Sequence, residues 1–393
     1  MSENDLGQKA AIRRLLWRMG FATRVDVPLR AYVPASRGRP GHESYTDLDV
    51  LGVTIAPGFR VHTAIADCKS TSRDTTERMF WIRGVGDFFG ADAAYMVRPI
   101  KTTDAARQLA ARLKIAVVTG EDLIALEAQH PVALDLTDAP LARLFDVVQI
   151  EQYLKAFTGM DRKLDALLEY RQFDYWVYEP YRNLTQMVSH LADAATTLDP
   201  ANPLHAALVI DCSWLYLLTV SQAVEHVRAT HAADVPTCLL EYFLGGQVAL
   251  REKKQLLEQL TRVLPPAAQE SAQLLPAWYG QLLELVGRFN RSPHACLPAL
   301  QYAEMLSAAL VARKRTTVGK AFGNAIDPVA AKLLADIVGF LTASAGLNPN
   351  FRTMARELLV QDLTGGERRG PAPAPPPSAA DATPALPLGT TPQ

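Results

Sequence analysis

The sequence predicts an α/β domain followed by an all-α domain and an unstructured tail. The first third of the chain alternates short apolar segments of strand type with amphipathic segments of helical type, which is typical of strands and helices packed in layers. From about residue 134 strand signals become scarce and long segments of helical periodicity follow. From Gly365 the chain is rich in Pro, Ala and Thr and poor in large apolar groups. We therefore expect an α/β domain over 1–133, an all-α domain over 134–364 and a disordered tail over 365–393.

Each element of the α/β domain has a local signal of its own. Residues 5–20 repeat apolar side chains with helical spacing, and Gly20 can end that helix. Thr103 is a suitable N-cap for a second clear helix. In chain order the sequence predicts a helix over 5–20, strands over 25–33, 46–55 and 61–70 with a loop over 36–42, a helix over 76–89, a strand over 93–97, a helix over 103–113, a strand over 115–119 and a helix over 121–128. This order predicts a mixed central sheet flanked by helices.

The second domain is predicted to be helical almost throughout. Its most apolar window, Leu204–Val227, contains the acidic residues Asp211 and Glu225, so we expect a buried helix and not a membrane span. The predicted helical segments are 144–156, 162–170, 181–197, 204–229, 239–263, 276–289, 297–312, 328–345 and 353–361.

Composition narrows the function classes only slightly. The formal net charge is −1, and residues 1–130 carry 18 basic against 15 acidic side chains, a small basic excess. The four cysteines show no paired spacing, which argues against a zinc motif or a disulfide framework. The first residues lack a basic segment that leads into an apolar run, so we expect a cytoplasmic protein without a signal peptide.

The chemistry is concentrated on two predicted neighbouring strands. The first carries Thr46-Asp-Leu-Asp-Val-Leu-Gly52, and the second carries Ile65-Ala-Asp-Cys-Lys69. Side chains alternate along a strand, so Asp67 and Lys69 share one face, as Asp47 and Asp49 do. Carboxylates on facing strands repel one another unless a cation lies between them. Two carboxylates and an ammonium group are what metal-assisted cleavage of a phosphodiester requires. The bland alternative is a set of solvated charges on a half-exposed hairpin.

Residues 5–125 resemble the PD-(D/E)xK nuclease superfamily, in the style of the Mrr-like restriction endonucleases. The resemblance lies in the two strands just quoted, in the order of helices and strands, and in the later Ala91-Asp-Ala-Ala-Tyr-Met-Val97 and Thr103–Leu113 units. It covers about a third of the chain and implies a restriction-endonuclease-like fold.

The resemblance also implies roles for particular residues. Asp49 would be the first catalytic acid, with Asp47 as second choice, and Asp67 would be the second metal ligand. Lys69 would position or activate the attacking water. The backbone carbonyl of Cys68 would complete the shell of a Mg²⁺ or Mn²⁺ ion. The implied substrate is DNA, and a role in prokaryotic defence is compatible with the resemblance.

One departure from the family pattern concerns the first helix. Many members carry a Glu there that helps to bind a second metal ion, whereas this helix offers only Gln8 in its body. Glu43, in the loop before the hairpin, is a weak substitute. This departure puts two-metal catalysis in doubt more than it does the fold.

Four arginines near the hairpin are candidates for phosphate contacts. Arg37 and Arg39 lie in the Gly- and Pro-containing loop before it, and Arg73 and Arg78 follow Lys69. A solvated loop and a solvated helix face are the competing interpretations of these charges.

We therefore expect a Mg²⁺-dependent endodeoxyribonuclease. Its helical domain would recognise a target, self-associate or bind a protein partner. The alternative is a catalytically silent protein that keeps the nuclease fold and acts as a nucleic-acid-binding or scaffold protein through its helical domain. A membrane partner is not expected.

Overall fold

A computed structural model describes residues 3–36, 39–56, 58–69, 75–137, 140–230, 234–263 and 273–361. The predicted disordered tail, Arg37 and Arg73 lie outside these residues. The helices and strands of the N-terminal part follow one another in the predicted order: α1 (Glu3–Arg18), β1 (Ala22–Ser36), β2 (Arg39–Ile55), β3 (Val61–Cys68), α2 (Thr75–Phe89), β4 (Ala93–Val97), α3 (Asp104–Leu113), β5 (Ile115–Val118) and α4 (Gly120–Gln129).

The five strands form one mixed sheet in the order β1-β2-β3-β4-β5. Strands β1, β2 and β3 pair antiparallel, whereas β3, β4 and β5 pair parallel through the crossover helices α2 and α3. This confirms the prediction of a mixed sheet flanked by helices.

Helices cover both faces of the sheet. On one face Ile12, Leu15 and Leu16 of α1 pack with Leu123 of α4 against Val50 and other small apolar residues of the sheet. On the other face, α2 and α3 contribute the buried residues Met79, Ile82, Ala106 and Ala110. Because a strand alternates its side chains between faces, β2 and β3 can supply apolar groups to both layers.

Helix α1 approaches strand β2 closely at Gly52. A Cβ atom at that position would lie 3.1 Å from Cδ1 of Phe21 and 3.3 Å from Cδ1 of Leu16. The glycine therefore admits the helix to the sheet. This close packing brings the polar side chains at the start of α1 to the level of the acidic residues on β2.

The predicted loop over 36–42 was too long, because most of that range belongs to strands β1 and β2. Strands β1 and β2 continue to pair beyond the sheet, with Tyr32 opposite His42 and Ser36 opposite Arg39. A two-stranded ribbon tolerates Gly and Pro because each strand keeps one unpaired edge. The result is a ribbon that extends past the point where β3 pairs with β2.

The C-terminal part is mostly helical, as predicted. Its helices are α5 (Val147–Lys155), α6 (Asp165–Glu169), α7 (Tyr175–Val177), α8 (Pro180–Ala194), α9 (Pro203–Ala229), α10 (Val235–Leu244), α11 (Gln247–Val263), α12 (Tyr279–Arg291), α13 (Cys296–Val311), α14 (Val318–Phe322), α15 (Pro328–Ser344) and α16 (Asn350–Leu359). A π-helical segment, Tyr170–Asp174, connects α6 to α7.

Helix α9 is the centre of this helical part. It is the one helix among the described residues that is long and apolar enough to cross a membrane, yet 94% of its most apolar window is buried inside the protein. The sequence-based expectation of a buried helix is therefore supported. The buried apolar cluster is continuous from the sheet into these helices, from Trp17 through α9 to Leu359.

Candidate active site

The two predicted catalytic acids lie on adjacent strands. Asp49 and Asp67 each lie one residue beyond Val50 and Ala66, the pair at which the antiparallel register of β2 and β3 ends. The backbone N–H of Cys68 donates a hydrogen bond to Oδ2 of Asp49 at 2.7 Å. Both acids therefore lie near Cys68, and their roles as metal ligands remain a prediction.

Lys69 follows directly after the last residue of β3. Its backbone N–H donates to the carbonyl oxygen of Val97 at 3.3 Å, so the main chain remains tied to β4 at this point. The side chain is half-buried and forms no ion pair with any residue that the structure describes. Within the described part of the chain, no acid competes with a ligand for its ammonium group.

Lys9 of α1 is a site residue that the sequence reasoning missed. Its ammonium group lies 2.8 Å from Oδ1 of Asp49 and is also paired with Asp26 of β1. Burial by itself lowers the pKa of Lys9, but the carboxylates of Asp49 and Asp26 outweigh it and hold the pKa above its ordinary value. Lys9 is therefore a fixed positive charge between two acids.

Asp26 reaches Lys9 because the backbone of β1 is distorted there. Asp26 has a φ of 53°, in the left-handed region. In the pairing of β1 with β2, Val25 lies opposite Val50 and Val27 opposite Leu48, but Asp26 between them is not paired with β2. Asp is one of the few residue types that adopt this conformation at modest cost. Burial raises the pKa of the Asp26 carboxyl, and its bond to Lys9 opposes that rise.

Asp67 is held from the opposite side of the sheet. Its carboxylate accepts hydrogen bonds from Arg78 of α2, with Nε at 3.2 Å from Oδ1 and 3.1 Å from Oδ2. The guanidinium carbon of Arg78 lies 3.4 Å from the centre of the Trp81 ring, which fixes the direction of the side chain. Arg78 was predicted to contact phosphate; in the structure it is an ion-pair partner of the second acid.

The other predicted supporting residues are spread more widely. Asp47 is exposed, two positions before Asp49 on β2. Glu43 is exposed on the ribbon, and six residues of extended chain separate it from Asp49, which corresponds to roughly 20 Å. Glu43 therefore does not join the acid pair. Arg39 lies on β2 within the ribbon.

Gln8 of α1 carries an unsatisfied polar atom. Its Oε1 is buried and has no hydrogen-bond partner. Gln8 lies one helical turn before Ile12, on the stripe of α1 that packs against the sheet. A buried carbonyl oxygen without a donor is a rare and costly feature, and a cation or a water is a natural partner for it.

The donor set has the chemistry that a hard divalent cation requires. Asp49, Asp67, the carbonyl of Cys68 and the Gln8 amide all offer oxygen. Among the described residues, however, no group of three or more His, Cys, Asp and Glu side chains converges in the manner of a metal site. The four carboxylate oxygens of the pair already accept bonds from Lys9, Cys68 and Arg78. A metal ion bound by both acids would have to replace part of these bonds.

The thiol of Cys68 has no role as a nucleophile. It is buried, and burial together with the neighbouring Asp49 and Asp67 raises its pKa well above the ordinary value. Thiolate is the reactive form of cysteine, so this side chain is inert at neutral pH.

An exposed aromatic pair lies at the base of the ribbon. Tyr45 of β2 and Phe88 of α2 are 59% and 65% exposed, and their rings meet edge to face with centroids 5.9 Å apart. Large aromatic side chains that remain this exposed commonly mark a binding surface. Tyr45 precedes Asp49 by four residues, so the pair lies on the strand that carries the first acid.

Comparisons with known proteins do not assign a function to this chain, so the assignment rests on the geometry of the site. No family model, no curated protein and no solved structure matches this chain. What the fold and the site define is a mixed α/β sheet with two ion-paired acids on adjacent strands, extended by a ribbon and joined to a helical part.

Proposed function

We propose that this protein is a divalent-metal-dependent nuclease that hydrolyses DNA phosphodiester bonds. The observation that carries the proposal is the position of Asp49 and Asp67 on the adjacent strands β2 and β3, where the backbone N–H of Cys68 binds Asp49 and Lys69 follows Asp67 by two residues. Asp49 and Asp67 would hold Mg²⁺ or Mn²⁺ with the carbonyl of Cys68. When bound, the ion would stabilise charge on the scissile phosphate.

The protein's own groups have separate tasks in this proposal. Lys69 orients the attacking water, since its ammonium group is half-buried and pairs with no acid among the described residues. Lys9 and Arg78 balance the charge of the two acids by ion pairing when no metal ion is present. Exchange of these internal cations for a metal ion would accompany assembly of the active site.

The ribbon supports DNA as the substrate. A two-stranded β-ribbon fits the major groove of B-form DNA, whereas the major groove of A-form RNA is too deep and narrow for side chains to read. Residues 31–45 contain two arginines and one glutamate, a small excess of the charge that phosphates attract. Tyr45 and Phe88 offer apolar contact at its base.

A second candidate function is favoured by the ion pairs. Because Lys9 and Arg78 already neutralise the acids, the site is electrostatically complete without a metal ion. A protein that keeps the nuclease fold and only binds nucleic acid, or acts as a scaffold through its helices, would have such a site.

Plasmid cleavage with Mg²⁺ or Mn²⁺ tests the first proposal. We expect the wild-type protein to nick or linearise the plasmid, and Asp67→Asn and Lys69→Ala to reduce the rate by at least about 100-fold, as expected for loss of a catalytic group. Asp87→Asn and Lys101→Ala are matched controls, because both residues are exposed and form surface ion pairs. Thermal melting of each variant verifies that it folds.

The outcomes separate the two candidates. Cleavage that survives in both Asp67→Asn and Lys69→Ala would exclude this site as the nuclease centre. Absence of cleavage together with absence of Mn²⁺ binding by calorimetry, while a DNA duplex is still shifted in a gel, would establish the binding protein instead.

A further inference from the structure

A cleft lies between strand β1 and the helical part, away from the acid pair but connected to it. Its volume is about 650 Å³, within the range of small-molecule sites. Residues 23–28 of β1 form one wall, and α5, the π-helical segment, α9 and α13 contribute the others. Asp26 is part of the β1 wall, and its carboxylate shares Lys9 with Asp49.

Two arginines meet on one carboxylate inside the cleft. Asp211, in the middle of the apolar helix α9, is bound by two guanidinium groups, Arg24 with Nη2 2.7 Å from Oδ1 and Arg171 at Oδ2. The hydroxyl of Tyr153 donates to Oδ1 at 2.8 Å. This group of three side chains carries one net positive charge, whereas the lining as a whole has four arginines and four acids. The side chains of Arg24 and Arg171 are only 13% and 11% exposed. A poorly solvated cation of this kind favours an anionic ligand.

The walls also provide flat apolar surfaces. Trp176 is half-buried at the cleft, while Arg24 stacks on Trp214 at 4.6 Å and Arg171 on Phe157 at 4.4 Å from the ring centres. These stacked planes match a planar ligand ring.

Unused donors add a further indication. Nε1 of Trp214 and Nε of Arg24 are buried without a hydrogen-bond partner, and both belong to residues that line the cleft. Trp214 is only 2% exposed, so solvent does not satisfy its donor. Buried donors without partners are uncommon, and a ligand oxygen is an acceptor of the kind that they lack.

The backbone of the cleft has an unusual local structure. Arg171 and Gln172 belong to the π-helical segment Tyr170–Asp174. Such segments are rare and are frequent at functional sites, because the extra residue per turn redirects a side chain. In this segment the redirected side chain is that of Arg171, which forms an ion pair with Asp211.

We propose that this cleft binds a small planar anion, a ring bearing a phosphate or carboxylate group, with the anion at Arg24 and Arg171 and the ring against Trp176. Nucleoside monophosphates are the phosphate representatives of this class. The ligand controls the acid pair through Asp26 and Lys9; this second statement rests on the proposed nuclease function, whereas the binding itself does not.

Isothermal titration calorimetry of the full-length protein tests the binding without any cleavage assay. The probes are AMP, adenosine, inorganic phosphate and indole-3-acetate. If AMP binds saturably and with higher affinity than adenosine and inorganic phosphate, the ligand is a ring that bears a phosphate group. Binding of indole-3-acetate in preference to AMP supports the same site with a carboxylate as the anion.

Three variants locate the binding. Thr158→Trp fills the cleft from an exposed position on its rim. It should lower the affinity for the preferred probe about tenfold or more without disturbing the buried ion pairs. Arg24→Gln should lower this affinity by a similar factor. Asp211→Asn should raise the affinity because the two guanidinium groups lose their carboxylate. Arg288→Gln is the control, since Arg288 pairs with Asp336 outside the cleft.

The proposal is overturned if none of the four probes binds at millimolar concentration. Equal affinity for phosphate and AMP would also overturn it, as would binding that Thr158→Trp and Arg24→Gln leave unchanged in variants that melt normally. If the probe binds as expected and Asp26→Asn abolishes its effect on plasmid cleavage, the link to the acid pair is supported. If the probe binds but does not alter cleavage by an active wild-type protein, the regulatory part is excluded.

Discussion

The ammonium group of Lys9 lies 2.8 Å from Oδ1 of Asp49, which connects the first helix of the chain to the strand that carries the first candidate catalytic acid. The same ammonium group binds Asp26. One buried cation therefore joins the candidate active site to the wall of the cleft between β1 and the helices. A change at either place alters the charge balance at the other.

Lys9→Met should make the fold depend on divalent metal ions. Loss of the ammonium group leaves Asp26 and Asp49 without the cation that they share, and breaking a buried ion pair costs about 3–5 kcal/mol of unfolding free energy. We expect a lower Tm without metal and a larger rise in Tm on addition of Mn²⁺ than in the wild-type protein. Differential scanning fluorimetry with and without Mn²⁺ measures both.

Lys155→Met is the control for this experiment, because Lys155 is 71% exposed and forms a surface pair with Glu151. Its Tm should equal that of the wild-type protein. An equal Mn²⁺-induced rise in the Lys9 variant and the wild type would show that Lys9 and the metal ion do not compete.

Arg13 and Glu304 should be energetically coupled. Arg13 of α1 lies 2.7 Å from Oε1 of Glu304 on α13, and the backbone N–H of Thr23 donates to Oε2 at 3.0 Å. Both charged side chains are buried, so Arg13→Ala or Glu304→Ala alone should cost about 3–5 kcal/mol of unfolding free energy. The double variant should cost clearly less than the two together, because it leaves no unpaired charge.

Urea unfolding of the four proteins in this cycle measures the coupling. The exposed pair Arg315–Glu357 provides a matched cycle in which the two effects should simply add. Additivity within about 0.5 kcal/mol at Arg13 and Glu304 would contradict the prediction.

Asp211 should contribute a pH-dependent part of the stability in acid. Burial raises its pKa, but Arg171 and Arg24 more than compensate and hold the pKa at about 2, below the ordinary 3.8. As the pH falls, the unfolded chain therefore takes up a proton at Asp211 before the folded protein does. The associated stability, about 2 kcal/mol, is present above pH 4 and is lost between about pH 4 and pH 2.

Comparison with Asp211→Asn isolates this contribution from that of the other carboxyl groups. The difference in unfolding free energy between the wild type and the variant should decrease by about 2 kcal/mol as the pH falls from about 4 to about 2. Urea titrations from pH 5 to pH 2 measure it. A difference that stays constant would show that Asp211 has an ordinary pKa in the folded protein.

Local patterns were sufficient for most of the N-terminal architecture. Thr103 was predicted as an N-cap, and its hydroxyl does accept the N–H of Ala106. Strand β3 was predicted from Val61, where it begins. The ribbon was underestimated because Gly and Pro in residues 36–42 indicate a turn, whereas pairing between β1 and β2 there depends on the partner strand.

The sequence by itself determined the order of the N-terminal helices and strands and the placement of Asp49 and Asp67 on adjacent strands, because alternation and helical spacing act between near neighbours along the chain. Only the tertiary structure decided which charges meet. Lys9 reaches an acid 40 residues away, Arg13 one 291 residues away, and Arg24 and Arg171 converge on Asp211. Ion pairing depends on distance in space and on burial, and neither quantity is contained in the spacing of residues along the sequence.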